Sequence, residues 1–185
     1  MEGKKFFAAG IFVSVFAACA AAVGNSPPEK PTLSMIKSYD RVQMFAHVLS
    51  TSDATMADFD NKYVTFLVPR DSTCEAGQAT FIKSLTSKET AKAYILDHAI
   101  VGQFAIIKNG DRIKSVDYFH DKKSFEHVTL EEASHIDVQL MSGREVVVSL
   151  DRGTLRIGNE AAVLGGLMYG AFDGGMLELD HCAAF

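Results

Sequence analysis

Tryptophan is absent from the 185 residues, so the 13 phenylalanines supply the aromatic part of any core. No run of five like charges occurs, which excludes a charged tail. The net charge of −5 argues against nucleic acid, which requires a basic face. Catalytic signatures are missing as well. There is no Gly-x-Ser-x-Gly elbow, no Gly-x-x-x-x-Gly-Lys loop and no His-Glu-x-x-His helix. Gly165-Gly166 and Gly174-Gly175 lack the strand-to-helix context of a dinucleotide loop. Asn25-Ser26 is followed by Pro27, which leaves no acceptor for N-glycosylation. No enzyme activity, cofactor or metal is expected on these grounds. His120, His127 and His135 sit at spacings that match no zinc pattern, and Glu131-Glu132 lies in a polar stretch and reads as solvated.

What is present begins with the N-terminus. Lys4 and Lys5 precede the apolar run Phe6–Ala18, and small residues follow it, which predicts a secretory signal peptide over 1–22. Two cleavage readings stand. Phe16-Ala17-Ala18-Cys19 is similar to a bacterial lipobox, with Phe16 where an aliphatic residue is usual, and would lipidate Cys19. Ordinary cleavage after Ala22 is the preferred reading. Residues 23–33 read as a Pro- and Ser-containing tether, and contact with a membrane is expected only through a lipid at Cys19. No other stretch is long and apolar enough to span a bilayer.

The remainder, 34–185, is the length of one domain. A chain of about 150 residues buries roughly 68–70% of its unfolded surface, enough for a core without staples. Tyr63–Val68 is β-branched, aromatic and apolar, the composition of a buried strand, and Pro69 ends it. Asp71, Ser72 and Thr73 are turn and cap residues. Asp173–Cys182 answers this stretch near the C-terminus with a turn, the strand Met176–Leu179 and a cysteine. These two strands read as the first and last of the core.

Removal or lipidation of Cys19 leaves Cys74 and Cys182, and export permits a disulfide between them. Such a bond closes a loop of about 108 residues, worth about 4–5 kcal/mol in the chain-entropy model. Two buried free thiols are the alternative. A catalytic thiol lacks the basic surroundings it would need.

Asp40 reads as the cap of a helix carrying Val42, Phe45, Ala46 and Leu49 on one face. Gln78–Leu85 reads as helical, and Ser87 caps a further helix with Ala91, Tyr94, Ile95 and His98 on one face. Asn109-Gly110 is a turn. Arg112–Glu132 is less regular and carries the charged patch Asp121-Lys122-Lys123. Ile136–Leu140, Glu145–Leu150 and Thr154–Ile157 read as strands, while Gly165, Gly166 and Gly170 read as loosening the segment before the last strand. Helices followed by a meander predict an α+β fold.

Four stretches in order resemble the motifs of a fasciclin-like (FAS1) domain over Ser34–Phe185. Thr65-Phe66-Leu67-Val68-Pro69-Arg70-Asp71 stands for Thr-Val-Phe-Ala-Pro-Thr-Asn. Asp97-His98-Ala99-Ile100-Val101-Gly102 stands for the Tyr-His pair with Val-Val-x-Gly. Gly158-Asn159-Glu160-Ala161-Ala162-Val163 is similar to Val-Asn-Gly-Ala-x-Val, and Asp173–Asp180 to Asn-Gly-Val-Ile-His-Val-Ile-Asp. Asp71, Asp97 and Leu177 depart from the family's Asn, Tyr and His, and Lys108–His135 is longer than expected. The resemblance implies a divergent member: a wedge of two small β-sheets flanked by helices in the N-terminal half. It also implies an exported adhesion module, secreted, periplasmic or at a cell surface, with a protein or glycan partner and no enzyme activity. Tyr94, Asp97 and His98 are the candidate partner contacts, although a buried structural role is the preferred reading of His98 and a turn-orienting role that of Asp97. Asp71 and Asp180 read as structural. The alternative function is a small apolar ligand-binding protein or a hydrolase with a pocket near 108–135, motivated by that segment's length alone.

Overall fold

The computed structural model describes residues 31–59, 64–120, 126–158, 161–168 and 175–182. Among them, helices come first: α1 (Pro31–Ser38), α2 (Gln43–Thr51), α3 (Ala76–Ser84) and α4 (Lys88–Asp97). Strand β1 (Val64–Pro69) lies between α2 and α3. After α4 the described chain is β-rich: β2 (Ala99–Val101), β3 (Gln103–Asn109), β4 (Arg112–Phe119), β5 (His127–Leu130), β6 (Ser134–Gln139), β7 (Glu145–Asp151), β8 (Thr154–Ile157), β9 (Ala161–Met168) and β10 (Gly175–Leu179). The fold is α+β.

The strands form a seven-stranded sheet, ordered β2-β1-β10-β9-β8-β7-β6, and a three-stranded sheet, β3-β4-β5. The first and last strands are neighbours. β1 runs parallel to β10, from Thr65 opposite Gly175 to Pro69 opposite Leu179. A parallel pair buried on both faces demands apolar residues at consecutive positions, and both strands are buried along their whole length. Val64, Phe66, Val68 and Met176 face the helices, whereas Leu67, Leu177 and Leu179 face a second core shared with Phe104, Val116 and Leu150. The two ends of the long sheet also meet. Ile100 of β2 bridges Leu140 beyond β6, and the Met141 N–H donates to the Ala99 carbonyl at 2.7 Å.

Several expectations change. The two expected sheets are present, but one of them is long: the pairing of β10 with both β1 and β9 joins the C-terminal meander and the N-terminal strands into one seven-stranded ladder. The described part of Lys108–His135 is largely strand. It contributes to a hairpin through Asn109-Gly110 and the strands β4 and β5, with Ile113, Val116, Tyr118 and Leu130 buried. A register shift opposite Ile107/Lys108 places Ile113 and Val116, three apart, on the same side, which masks the period of two. Gly165 and Gly166 do not loosen the chain but pair with Glu178 and Leu177 inside β9. Helix α1 overlaps the last residues of the stretch read as a tether and buries Leu33 and Ile36. Tyr63, Asp121-Lys122-Lys123, Gly170, Asn159-Glu160, Asp173-Gly174, the signal peptide and Cys19 lie outside the described residues.

Asp40 does not cap α2. The helix is preceded by Val42, which offers no side-chain cap. Its free N–H groups are taken by Asp71 instead: Gln43 donates to Oδ2 at 2.8 Å and Met44 to Oδ1 at 3.1 Å. The Asp71 N–H in turn donates to the Arg41 carbonyl at 2.8 Å. The turn after β1 is thereby locked onto the start of α2.

Candidate functional site

Cys74 and Cys182 are joined, with Cα atoms 5.0 Å apart. The bond ties the turn after β1 to the chain just beyond β10. The Gln78 side chain of α3 reinforces it, donating from Nε2 to the Cys182 carbonyl at 2.9 Å and accepting at Oε1 from the Glu75 N–H at 2.9 Å. α3 is thus anchored at its N-terminal end, and its C-terminal half stands beside α4.

Ser87 caps α4, its Oγ accepting from the Thr90 N–H at 3.2 Å. Ala91 and Ile95 turn inward. Tyr94 and His98, four apart, share one face. Their rings stack at 4.0 Å with planes 26° apart. His98 Nδ1 lies 2.9 Å from the Tyr94 carbonyl, which only accepts, so Nδ1 carries the hydrogen. Phe45 of α2 packs against both rings at about 6 Å. His98 is buried and structural. Burial pushes the Tyr94 phenol well above its ordinary range, so it stays protonated.

Asp97 ends α4. Its role is not to orient the turn. Oδ2 faces Arg144 Nη1 at 3.7 Å across a gap to the β6–β7 hairpin, and Oδ1 is enclosed without a hydrogen-bond partner. Phe81, Leu85, Thr90, Ala93, Tyr94, Asp97, His98 and Arg144 line an open groove of about 370 Å³ between α3, α4 and that hairpin. Phe81 is 56% exposed at its rim. The groove therefore joins an apolar wall, an exposed ring and two opposite charges. A second groove of about 290 Å³ lies on the other side of α3, against Gln43, Met44 and His47 of α2.

The sequence-predicted residues Tyr94, Asp97 and His98 come together here. Phe81 and Arg144 were not among them. Phe81 had a signal, since Ile82 and Leu85 face inward and leave position 81 outside, whereas Arg144 follows a hairpin glycine and carries no local mark. The three histidines do not gather. His127 packs on Phe119 at 5.1 Å and His120 lies near Tyr118 at 6.4 Å. Among the described residues no three metal-ligating side chains stand together. Glu132 is not simply solvated: it accepts from the Arg152 N–H and, at 3.0 Å, from the Gly153 N–H, holding the β7–β8 turn. Asp180 is structural, accepting from the Ala162 N–H at 2.7 Å.

Strands, helices and groove define an α+β domain with a surface depression beside its last helix. Among solved structures the chain is similar to a FAS1 domain pair from the insect cell adhesion molecule fasciclin I, at 15% identity and a TM-score of 0.37, a match covering 78% of this chain and 45% of that one. The chain thus spans less than half the length of that structure. No protein-family profile and no curated protein matches the sequence. Among the described residues no helix is long and apolar enough to cross a membrane.

Proposed function

We propose that the chain is a divergent fasciclin-like domain acting as an exported, non-enzymatic adhesion or interaction module whose partner surface is the α3–α4 groove. One observation carries this reading: Tyr94, Asp97 and His98, which occupy or adjoin the positions of the family's Tyr-His motif, line a single open groove with the exposed Phe81. Exposed aromatic side chains beside a depression are the usual anchors of protein interfaces. The Cys74–Cys182 bond and the apolar N-terminal segment favour an oxidising compartment, outside the cell or in an envelope. A lipid at Cys19 would hold the module on a membrane, and cleavage after Ala22 would release it. The second reading, a small apolar ligand-binding protein or hydrolase with a pocket near 108–135, has less support, because β4 and β5 occupy much of the described part of that segment.

The test is binding of the purified chain to intact cells and envelope fractions of its host, with Phe81→Ala beside it. Saturable binding by the native chain, weakened about tenfold or more in the variant, is expected. Equal binding by both, or none by either, defeats the assignment of the groove.

A further inference from the structure

Asp97 brings to the groove a carboxylate oxygen that no donor among the described residues reaches. Oδ1 is enclosed and unpaired, while Oδ2 is 3.7 Å from Arg144 Nη1, outside hydrogen-bonding range. An enclosed carboxylate oxygen without a donor is a costly arrangement. Its position makes it more so. Asp97 is the last residue of α4, where the carbonyl ends of the helix already concentrate negative potential. Among the lining residues, Arg144 faces it on a hairpin, with a side chain 59% exposed. That charge is near enough to balance the carboxylate and too far to bond it. The rings of Phe81 and Tyr94 stand in the same groove, and aromatic faces attract cations.

We infer that the groove receives a cationic side chain, an arginine or lysine from an exposed segment of a partner protein. The incoming guanidinium or ammonium donates to the Asp97 carboxylate. The Asp97 side chain is about one-third exposed, so the guest's donor reaches Oδ2 on the open side, and because the charge is shared over both oxygens the incoming cation offsets the cost of the enclosed Oδ1 as well. The aliphatic stem of the guest lies along Phe81, Leu85 and Ala93. Arg144 holds the place in the free protein and moves aside. An acidic guest fits less well, because the pairing it gained with Arg144 would be opposed by Asp97 and the end of α4. The inference rests on the groove being the partner surface.

The test uses the native disulfide-bonded chain and small probes followed by NMR. Nα-acetyl-arginine amide and Nα-acetyl-lysine amide are titrated, with Nα-acetyl-glutamate amide and Nα-acetyl-norleucine amide as controls. Saturable shifts at Phe81, Tyr94 and Asp97 are expected for the cationic probes alone. Asp97→Asn, close in shape, weakens them about tenfold, and Arg144→Gln, which removes the competing charge, strengthens them severalfold. Phe81→Leu keeps an apolar cover, removes the ring and weakens them severalfold. Thermal unfolding of each variant separates lost binding from lost folding. Equal affinity in Asp97→Asn that remains folded, preference for the glutamate probe with loss in Arg144→Gln, or no saturable shift from either cation overturns the inference. Shifts that follow protein concentration alone also overturn it and make a second copy the guest. Loss of cell-surface binding in Phe81→Ala while the cationic probes fail would retain the adhesive surface and reject only its preference for cations.

Discussion

Asp71 shows how a single side chain in a loop can organise two elements. Its carboxylate accepts from the first N–H groups of α2, where helix ends need acceptors and favour negative charge. Asp71→Ala is expected to cost about 1 kcal/mol in urea unfolding, and Asp71→Asn only a few tenths, because asparagine caps nearly as well. The residue type was legible as a cap. Its helix was not, since Asp40 is the candidate a local search finds and Asp71 acts across 28 positions. Gly102 makes a sharper case. It sits at φ +135°, and a Cβ there would lie 2.3 Å from the Tyr118 ring, whose hydroxyl donates to the Val101 carbonyl. Gly102→Ala is expected to lose more than about 2 kcal/mol in the same measurement, through backbone strain and collision together. The family motif marked this glycine, but the tyrosine above it lies in the segment that read as irregular. Asp97 was legible as a departure from the motif, while Arg144 opposite it left no trace because pairing across a groove has no sequence period.

At the scale of elements, the 3-10 turn Met56–Phe59 is fastened to α4 by Asp58. Its carboxylate accepts from the Thr55 N–H at 2.8 Å and pairs with Lys92. The Lys92 hydrogen bond, with that of Thr55, holds its pKa below the ordinary 3.8. A depressed carboxylate pKa stabilises the fold above the unfolded value and stops doing so as pH falls through the folded one. Asp58→Asn should therefore lower stability near pH 7, by about 0.5 kcal/mol once solvent screening of the half-exposed lysine is counted. The difference should vanish as pH drops below 3.8 and through the lower folded value, as melting curves of both proteins across that range would record. A uniform difference at every pH would assign the effect to packing instead. The helices α3 and α4 were legible because their apolar spacing and the Ser87 cap are local. β4 was not, because its bulge interrupts the alternation on which strand reading depends.

For the whole molecule, the pairing of β1 with β10 joins chain segments more than a hundred residues apart, and the disulfide crosses just beyond the same ends of both strands. That cross-link makes the parallel direction intelligible from sequence: Cys74 and Cys182 each follow the C-terminal end of an apolar strand, and they can bond only if those ends lie side by side. The meeting of β2 with β6 through one bridge was not legible, since it leaves no periodic mark. The consequence is an uneven distribution of stability. β1 and β10 have partners on both sides and are buried on both faces, whereas β5 is short, paired among the described strands with β4 alone, and largely exposed. Elements of the first kind open only with the whole fold, and elements of the second open locally. Native-state hydrogen exchange should therefore find the amides of Phe66, Leu67 and Val68 exchanging at the global unfolding free energy, and hydrogen-bonded β5 amides exchanging at least about a hundredfold faster. Reduction removes the constraint on the long loop and should lower the β1 ceiling by up to about 4–5 kcal/mol, while the local opening of β5, which belongs to the other sheet, should keep its rate. Equal protection in the two strands would show the domain to be one cooperative unit and refute this division. A β5 rate that rose together with that of β1 on reduction would show that the small sheet, too, depends on the pairing of the first and last strands.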